Sequence, residues 1–155
     1  MRRELILITG LVLLVFLSAC GREDGQDIFG EYKFKEVSYL SPLSSATKDS
    51  VNRRMKGSEY TIKEDLFKIV ESTGYTVEYS SPKYVQEEID EEATLFSDVF
   101  TFLGRNVDYQ YAVYDEYENK TTWRLYVSSN SLWIGKCNKA PNGSDIVMYI
   151  YKLSK

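Results

Sequence analysis

The chain has two cysteines and no histidine. Without an imidazole it lacks the usual general base and the commonest transition-metal ligand. A serine nucleophile would need another activator, and the lysine-rich stretch Lys136 to Lys139, read as a turn, carries no serine–lysine motif. The densest group of oxygen donors is Glu87, Glu88, Asp90, Glu91 and Glu92. Calcium takes six to eight such ligands, but the run lacks the fixed spacing of a calcium loop. Its last three members suit the positive end of a helix dipole instead. Two carboxylates are enough for a glycosidase, yet nothing in the sequence singles out a pair. The chain is therefore read as non-catalytic, with no metal site and no cofactor.

Aromatic residues are the other resource: 13 tyrosines, seven phenylalanines and two tryptophans. Such rings stack on sugars and line apolar cavities. They also pack well on a pleated sheet face. Tyr109 and Tyr111 share one phase of a strand-like alternation, and Trp123 and Leu125 share one phase of the next. These four are the candidate lining for a small apolar ligand or a glycan. Tyr114, Tyr117 and Tyr126 fall in the opposite phase and are candidates for surface contact with an envelope protein. With so many bulky rings, the interior is expected to be filled.

Positioning begins at the N-terminus. Arg2 and Arg3 precede an apolar run from Leu5 to Leu17, which closes on Leu17-Ser18-Ala19-Cys20. The run is shorter than the roughly 20 apolar residues of a spanning helix. A charged start, an apolar middle and a small-residue end are the marks of an export signal. The closing tetrapeptide resembles the lipobox of bacterial lipoproteins, whose cysteine receives a diacylglyceryl group before cleavage in front of it. That resemblance implies that residues 1–19 are removed, that Cys20 is the lipidated mature N-terminus, and that residues 20–27 tether a domain spanning 28–155. Multiple acyl chains give durable attachment, so the domain is expected at the membrane of the bacterial envelope, on its extracytoplasmic side.

Cleavage would lower the 19 basic and 23 acidic residues of the full chain to 17 and 22, a net charge of −5. A mildly acidic body with no basic block is a poor match for nucleic acid. Cys137 has no partner once Cys20 is acylated, so the domain is expected to fold without a disulfide. Its size is sufficient for a stabilising core.

The body reads as mainly β. Tyr32 and Phe34 alternate with Lys33 and Lys35 within a first strand over 30 to 40. The segment Ser41 to Met55 loses that pattern and offers helix caps at Ser44, Ser45 and Thr47, with Val51 and Met55 four apart and Gly57 as a stop. Short strands follow over 59–62, 66–71, 75–79 and 84–89, divided by turn signals and expected to pair as hairpins. Asp90 to Leu103 has an apolar helical face of Leu95, Phe96, Val99, Phe100, Phe102 and Leu103, with Asp90 as cap and Gly104 just past the end. This helix is expected to cover a barrel mouth or a sheet edge. Strands then resume, with Val107, Tyr109, Tyr111 and Val113 on one face, then Trp123, Leu125 and Val127, then 132–135 and 147–153.

A first strand opening Gly30-Glu31-Tyr32, a meander of short strands, one amphipathic helix and a last strand ending Tyr149-Ile150-Tyr151-Lys152 together resemble the lipocalin and calycin barrels. That group begins with Gly-x-Trp and ends with a basic residue crossing the tryptophan. The resemblance implies Tyr32 in the tryptophan's place, Lys152 as its basic partner, and the Ser41 to Met55 segment as a lid. An eight-stranded barrel of this kind holds one small ligand or fills itself with side chains.

Overall fold

The computed structural model describes residues 28–89, 96 and 98–155. The export segment, Cys20, Asp90, Glu91 and Glu92 lie outside them. Among the described residues, one antiparallel sheet contains β1 (Gly30–Leu40), β2 (Glu59–Ile62), β3 (Leu66–Val70), β4 (Thr76–Ser80), β5 (Lys83–Glu87), β6 (Tyr109–Tyr114), β7 (Lys120–Ser128), β8 (Ser131–Lys139) and β9 (Asp145–Ser154). Helix α1 (Lys48–Met55) follows β1, and helix α2 (Asp98–Asn106) precedes β6. The protein is mainly β, and its sheet curls into a half-barrel.

The strand order is β4-β3-β2-β1-β9-β8-β7-β6-β5, so the first strand pairs with the last. Because every neighbour is antiparallel, β4 and β5 lie at opposite edges yet run the same way. Only Ser81 and Pro82 join them. A crossover between separate parallel strands needs a dozen or more residues, so β4 and β5 are two segments of one bent strand. The Ser-Ser-Pro sequence was expected to turn a hairpin, and it makes this kink instead. Ser81 has φ 49° and donates its N–H to the Asp65 carbonyl at 2.9 Å, and Pro82 has no N–H to extend a ladder. The curl brings Phe67 of β3 to within 6.2 Å of Trp123 of β7, ring to ring, although five places separate these strands in the sheet.

The inner face carries the larger apolar cluster, including Tyr32, Ile62, Phe67, Trp123, Leu125, Ile134 and Leu153. Ile62, Phe67, Leu125 and Ile134 are fully buried, and each such side chain stabilises the fold by roughly 1.5–3 kcal/mol. Two bulges in β1, after Phe34 and after Val37, shift the alternation. As a result Tyr32, Phe34, Val37 and Leu40 all reach the inner cluster, while Tyr39 joins the outer one. Helix α1 starts in a reciprocal cap: Thr47 Oγ1 accepts the Ser50 N–H at 3.2 Å, and Ser50 Oγ accepts the Thr47 N–H at 3.1 Å. Val51 and Met55 then enter the inner cluster, and Asn52 Oδ1 accepts the Val37 N–H at 2.8 Å.

Helix α2 departs from expectation. Phe96 precedes it, it begins at Asp98, and it runs through Gly104 to Asn106. Gly104 lies within the helix rather than past its end, nothing lies within 4 Å of a Cβ built on it, and the buried Val99 and Leu103 with the partly buried Phe102 form the packed stripe. It covers neither a mouth nor an edge. Instead it packs on the outer face of the sheet, where Phe102 meets Trp133 edge-on at 5.8 Å. Val107, expected in β6, ends the helix and packs with this outer cluster, its N–H bonded to the Leu103 carbonyl at 2.9 Å.

Candidate functional site

Strand direction sorts the connections into two ends. At the mouth lie the β1–α1 segment, the β3–β4 turn, the β6–β7 turn and the β8–β9 turn. Each of the first three carries an exposed large side chain: Leu43, Tyr75 and Tyr117. Tyr117 is 78% exposed on a turn held rigidly by Asp115, whose Oδ1 accepts the N–H groups of Tyr117 at 3.0 Å and Asn119 at 2.8 Å. Helix α1 closes part of this mouth from inside. Between it and β8–β9 remains a cleft of about 270 Å³ lined by Leu40, Ser44, Val51, Arg54, Lys136, Asn138, Met148, Tyr149 and Tyr151.

The floor of that cleft is aromatic. Tyr149 and Tyr151 stack at 4.3 Å with rings 7° from parallel, and Tyr151 meets Phe34 edge-on at 5.2 Å. Tyr149 lies 6.3 Å from Trp123, which leads on to Phe67 and Tyr79. Above it stand two cations. The Lys136 ammonium sits 5.6 Å from the Trp123 ring and 5.9 Å from that of Tyr75. The Arg54 guanidinium lines the same cleft beside Tyr151 and pulls its hydroxyl's value down. Among the described residues no carboxylate lines the cleft, although the field of nearby Glu71 reaches its tyrosines. Burial first and Glu71 second push the Tyr151 hydroxyl up to about 12, against the opposing pull of Arg54. Burial likewise holds Tyr149 and Tyr60 well above the ordinary tyrosine value. Tyr60 is 2% exposed, and its hydroxyl is the buried side-chain polar atom that lacks a hydrogen bond among the described residues. The arrangement can hold a small ring against tyrosine while two cations and an amide engage its polar edge.

The residues singled out from sequence are distributed differently. Trp123 and Leu125 do face inward, but they are packed in the core, 2% and 0% exposed. Tyr109 and Tyr111 flank the inner cluster and meet edge-on at 5.8 Å. Of the four, Tyr109 lines a cleft beside Gln86 to Ile89. Tyr126 does lie in the opposite phase, but it is 1% exposed, because α2 and the outer cluster cover that face. It is therefore no surface residue; Tyr114 is half-buried, and only Tyr117 of that trio projects. Lys136 to Lys139 is the end of strand β8, not a turn. A lysine at 136 continues the inward phase of Leu132 and Ile134, and that break in an apolar series was the available signal.

The basic partner of Tyr32 is Lys155, whose ammonium lies 5.5 Å over its ring. Lys152 instead lies 5.4 Å over Trp133 on the outer face. Register decides this, since Lys33 pairs with Ser154 and Lys152 stands opposite Glu36. Cys137 is buried beside the Tyr126 hydroxyl at 3.8 Å, and desolvation raises its thiol. Among the described residues, no group of three or more cysteine, aspartate and glutamate side chains is placed to hold a metal ion. No protein-family model, no curated protein and no solved structure matched this chain.

Proposed function

We propose that this protein is a lipid-anchored envelope lipoprotein whose β domain binds a small ligand at its mouth without transforming it. The ligand class that fits is a single-ring glycan unit bearing an acidic group. The observation that carries this reading is the mouth cleft itself: stacked tyrosines below, Arg54 and Lys136 above, Asn138 at the side. A volume of about 270 Å³ falls just under the range of drug-sized pockets, which suits one ring rather than a long acyl chain. A sugar face would lie on the aromatic surface, and its carboxylate would meet the guanidinium.

The test uses Trp fluorescence, because Trp123 lies under Lys136 and beside Tyr149. Glucuronate, galacturonate and their neutral sugar counterparts are titrated in parallel, with native mass spectrometry of gently purified protein as a second readout. A saturable response to a uronate that Lys136→Gln weakens at least tenfold supports the reading. No response to any acid sugar and no co-purified ligand would sink it. The anchor is tested separately: Cys20→Ala should release the protein from the membrane fraction.

A second reading rests on Tyr117, exposed on its rigid turn beside the exposed Leu43 and Tyr75 loops at the same end. Such a rim suits an exported or envelope protein partner. Tyr117→Ala would abolish partner capture while leaving uronate binding intact.

A further inference from the structure

The opposite end of the domain carries a second, unlike surface. A cleft of about 420 Å³ there is lined by Ile28, the first described residue, and by Lys35, Lys152 and Lys155. An adjoining cleft shares Ser131 and Lys152 with it and adds Arg105. Four cations thus line two adjoining clefts at this end. The carboxylate side chain among the lining residues, Asp108, accepts the Ser129 N–H at 3.0 Å.

Two properties mark this group of cations. Among the described residues five sheet lysines are paired, Lys63 with Glu31, Lys68 with Glu78, Lys83 with Glu118, Lys120 with Glu87 and Lys139 with Asp145, whereas Lys33 and Lys136 form no ion pair. None of the ion pairs involves Lys35, Arg105, Lys152 or Lys155. Glu36 stands opposite Lys152 in the β1–β9 register without pairing to it. The second property is order. Lys155 lies over Tyr32 and Lys152 over Trp133, and such contacts fix an ammonium without neutralising it. A protein whose mature chain would be net negative thus gathers four cations without ion-pair partners at this end.

We propose that this end docks on the phosphate-bearing headgroups of an anionic phospholipid bilayer. The argument rests on the anchor reading for its geometry. Cys20 precedes Ile28 by eight residues, and an extended chain spans at most roughly 3.5 Å per residue, so the tether reaches no more than about 28 Å. The face around Ile28 is the one held nearest the lipid. A lysine close to an anionic surface strengthens binding about fivefold, so three together give about a hundredfold. The hydroxyl and amide groups of Ser131, Ser154 and Asn130 supply further donors for phosphate oxygens.

The experiment uses the mature chain, residues 20–155, with Cys20→Ser to remove the anchor. Co-sedimentation is measured with vesicles of phosphatidylglycerol and phosphatidylcholine, and with phosphatidylcholine alone. The expected result is binding that requires phosphatidylglycerol, weakens as salt rises, and falls about a hundredfold in K35Q/K152Q/K155Q. A control, K68Q/K120Q/K139Q, removes equal charge elsewhere and should keep most of the binding; thermal unfolding checks that both triples are folded. Equal binding by the first triple, equal loss in the control, or no preference for phosphatidylglycerol overturns the proposal. So does full displacement by millimolar inorganic phosphate, which would mark an ion site rather than a bilayer surface. Failure of the anchor appears elsewhere, as loss of wild-type protein from the membrane fraction.

Discussion

Replacing Tyr60 by phenylalanine removes one oxygen from the inner cluster and should stabilise the protein. Tyr60 is 2% exposed, and its hydroxyl is buried without a partner among the described residues. A buried polar group left unsatisfied costs about 1–3 kcal/mol, and phenylalanine keeps the ring contacts while removing that cost. For a domain of this size each kcal/mol moves the melting temperature by roughly 4 °C, so a rise of roughly 4–12 °C is expected by calorimetry. The gain should also depend on pH, with a definite sign. The folded-state value of Tyr60 is raised by burial first, then by Tyr151 and Glu71, while the unfolded value stays near 10. Above pH 10 the unfolded chain loses this proton and the folded chain keeps it, so wild-type stability falls as pH rises. The slope is on the order of 1.4 kcal/mol per pH unit for one such group. Tyr60→Phe removes that slope, and the gap between variant and wild type should widen from pH 10 to pH 11. A variant destabilised by about 1 kcal/mol or more, or a gap that does not widen, would refute both the orphaned hydroxyl and its raised value.

Three further outcomes follow from the packing. Tyr32→Ala should cost about 3 kcal/mol, because the ring is buried at the domain's base under Lys155 and its hydroxyl donates to the Ile28 carbonyl at 2.9 Å; an unchanged denaturation midpoint would remove it from that place. Gly135→Ala should cost about 1–3 kcal/mol, since a Cβ there would meet Tyr126 Cε2 at 2.7 Å and the Tyr149 carbonyl at 3.1 Å. That penalty should shrink in a Tyr126→Leu background, and equal penalties in both would disprove the clash. Cys137 should resist thiol reagents in the native protein and react on unfolding, being buried with a raised thiol; stoichiometric native labelling would contradict its burial.

Much of the strand phase was legible because a half-buried strand repeats every two residues. Tyr32 with Phe34, and Trp123 with Leu125 and Val127, sit together in the inner cluster as the alternation implies. What was hidden is non-local. The Ser81-Pro82 kink and a hairpin turn use the same residue types, and only the pairing of β4 with β3 and of β5 with β6 distinguishes them. Tyr126 carries the outward phase faithfully, but no local pattern says that α2 will cover that face. Lys33 pairs with Ser154 while Lys152 stands opposite Glu36 and lies over Trp133 on the outer face, which is why Lys155 rather than Lys152 reaches Tyr32. Lys136 was visible as a charge in an apolar phase. Its meaning depended on Arg54, brought beside the same cleft from a helix more than eighty residues earlier in the chain.

The two ends of the half-barrel bear on which ligand belongs at the mouth. Strand β1 runs from the Ile28 end to the mouth over 11 residues, and at about 3.3 Å per residue with the tilt of a curled sheet this separates the ends by roughly 25–35 Å. The field of an anionic bilayer decays within a Debye length of about 8 Å at physiological ionic strength. If the lysine end rests on the headgroups, Arg54 and Lys136 lie several such lengths away and their charge is not taken up by lipid. A ligand meeting them must then come from the aqueous space of the envelope or from a polymer within it, which argues for an acidic sugar over a membrane lipid. The aromatic floor is consistent with that choice, since the Tyr149–Tyr151 stack and Trp123 fill the depth an acyl chain would need.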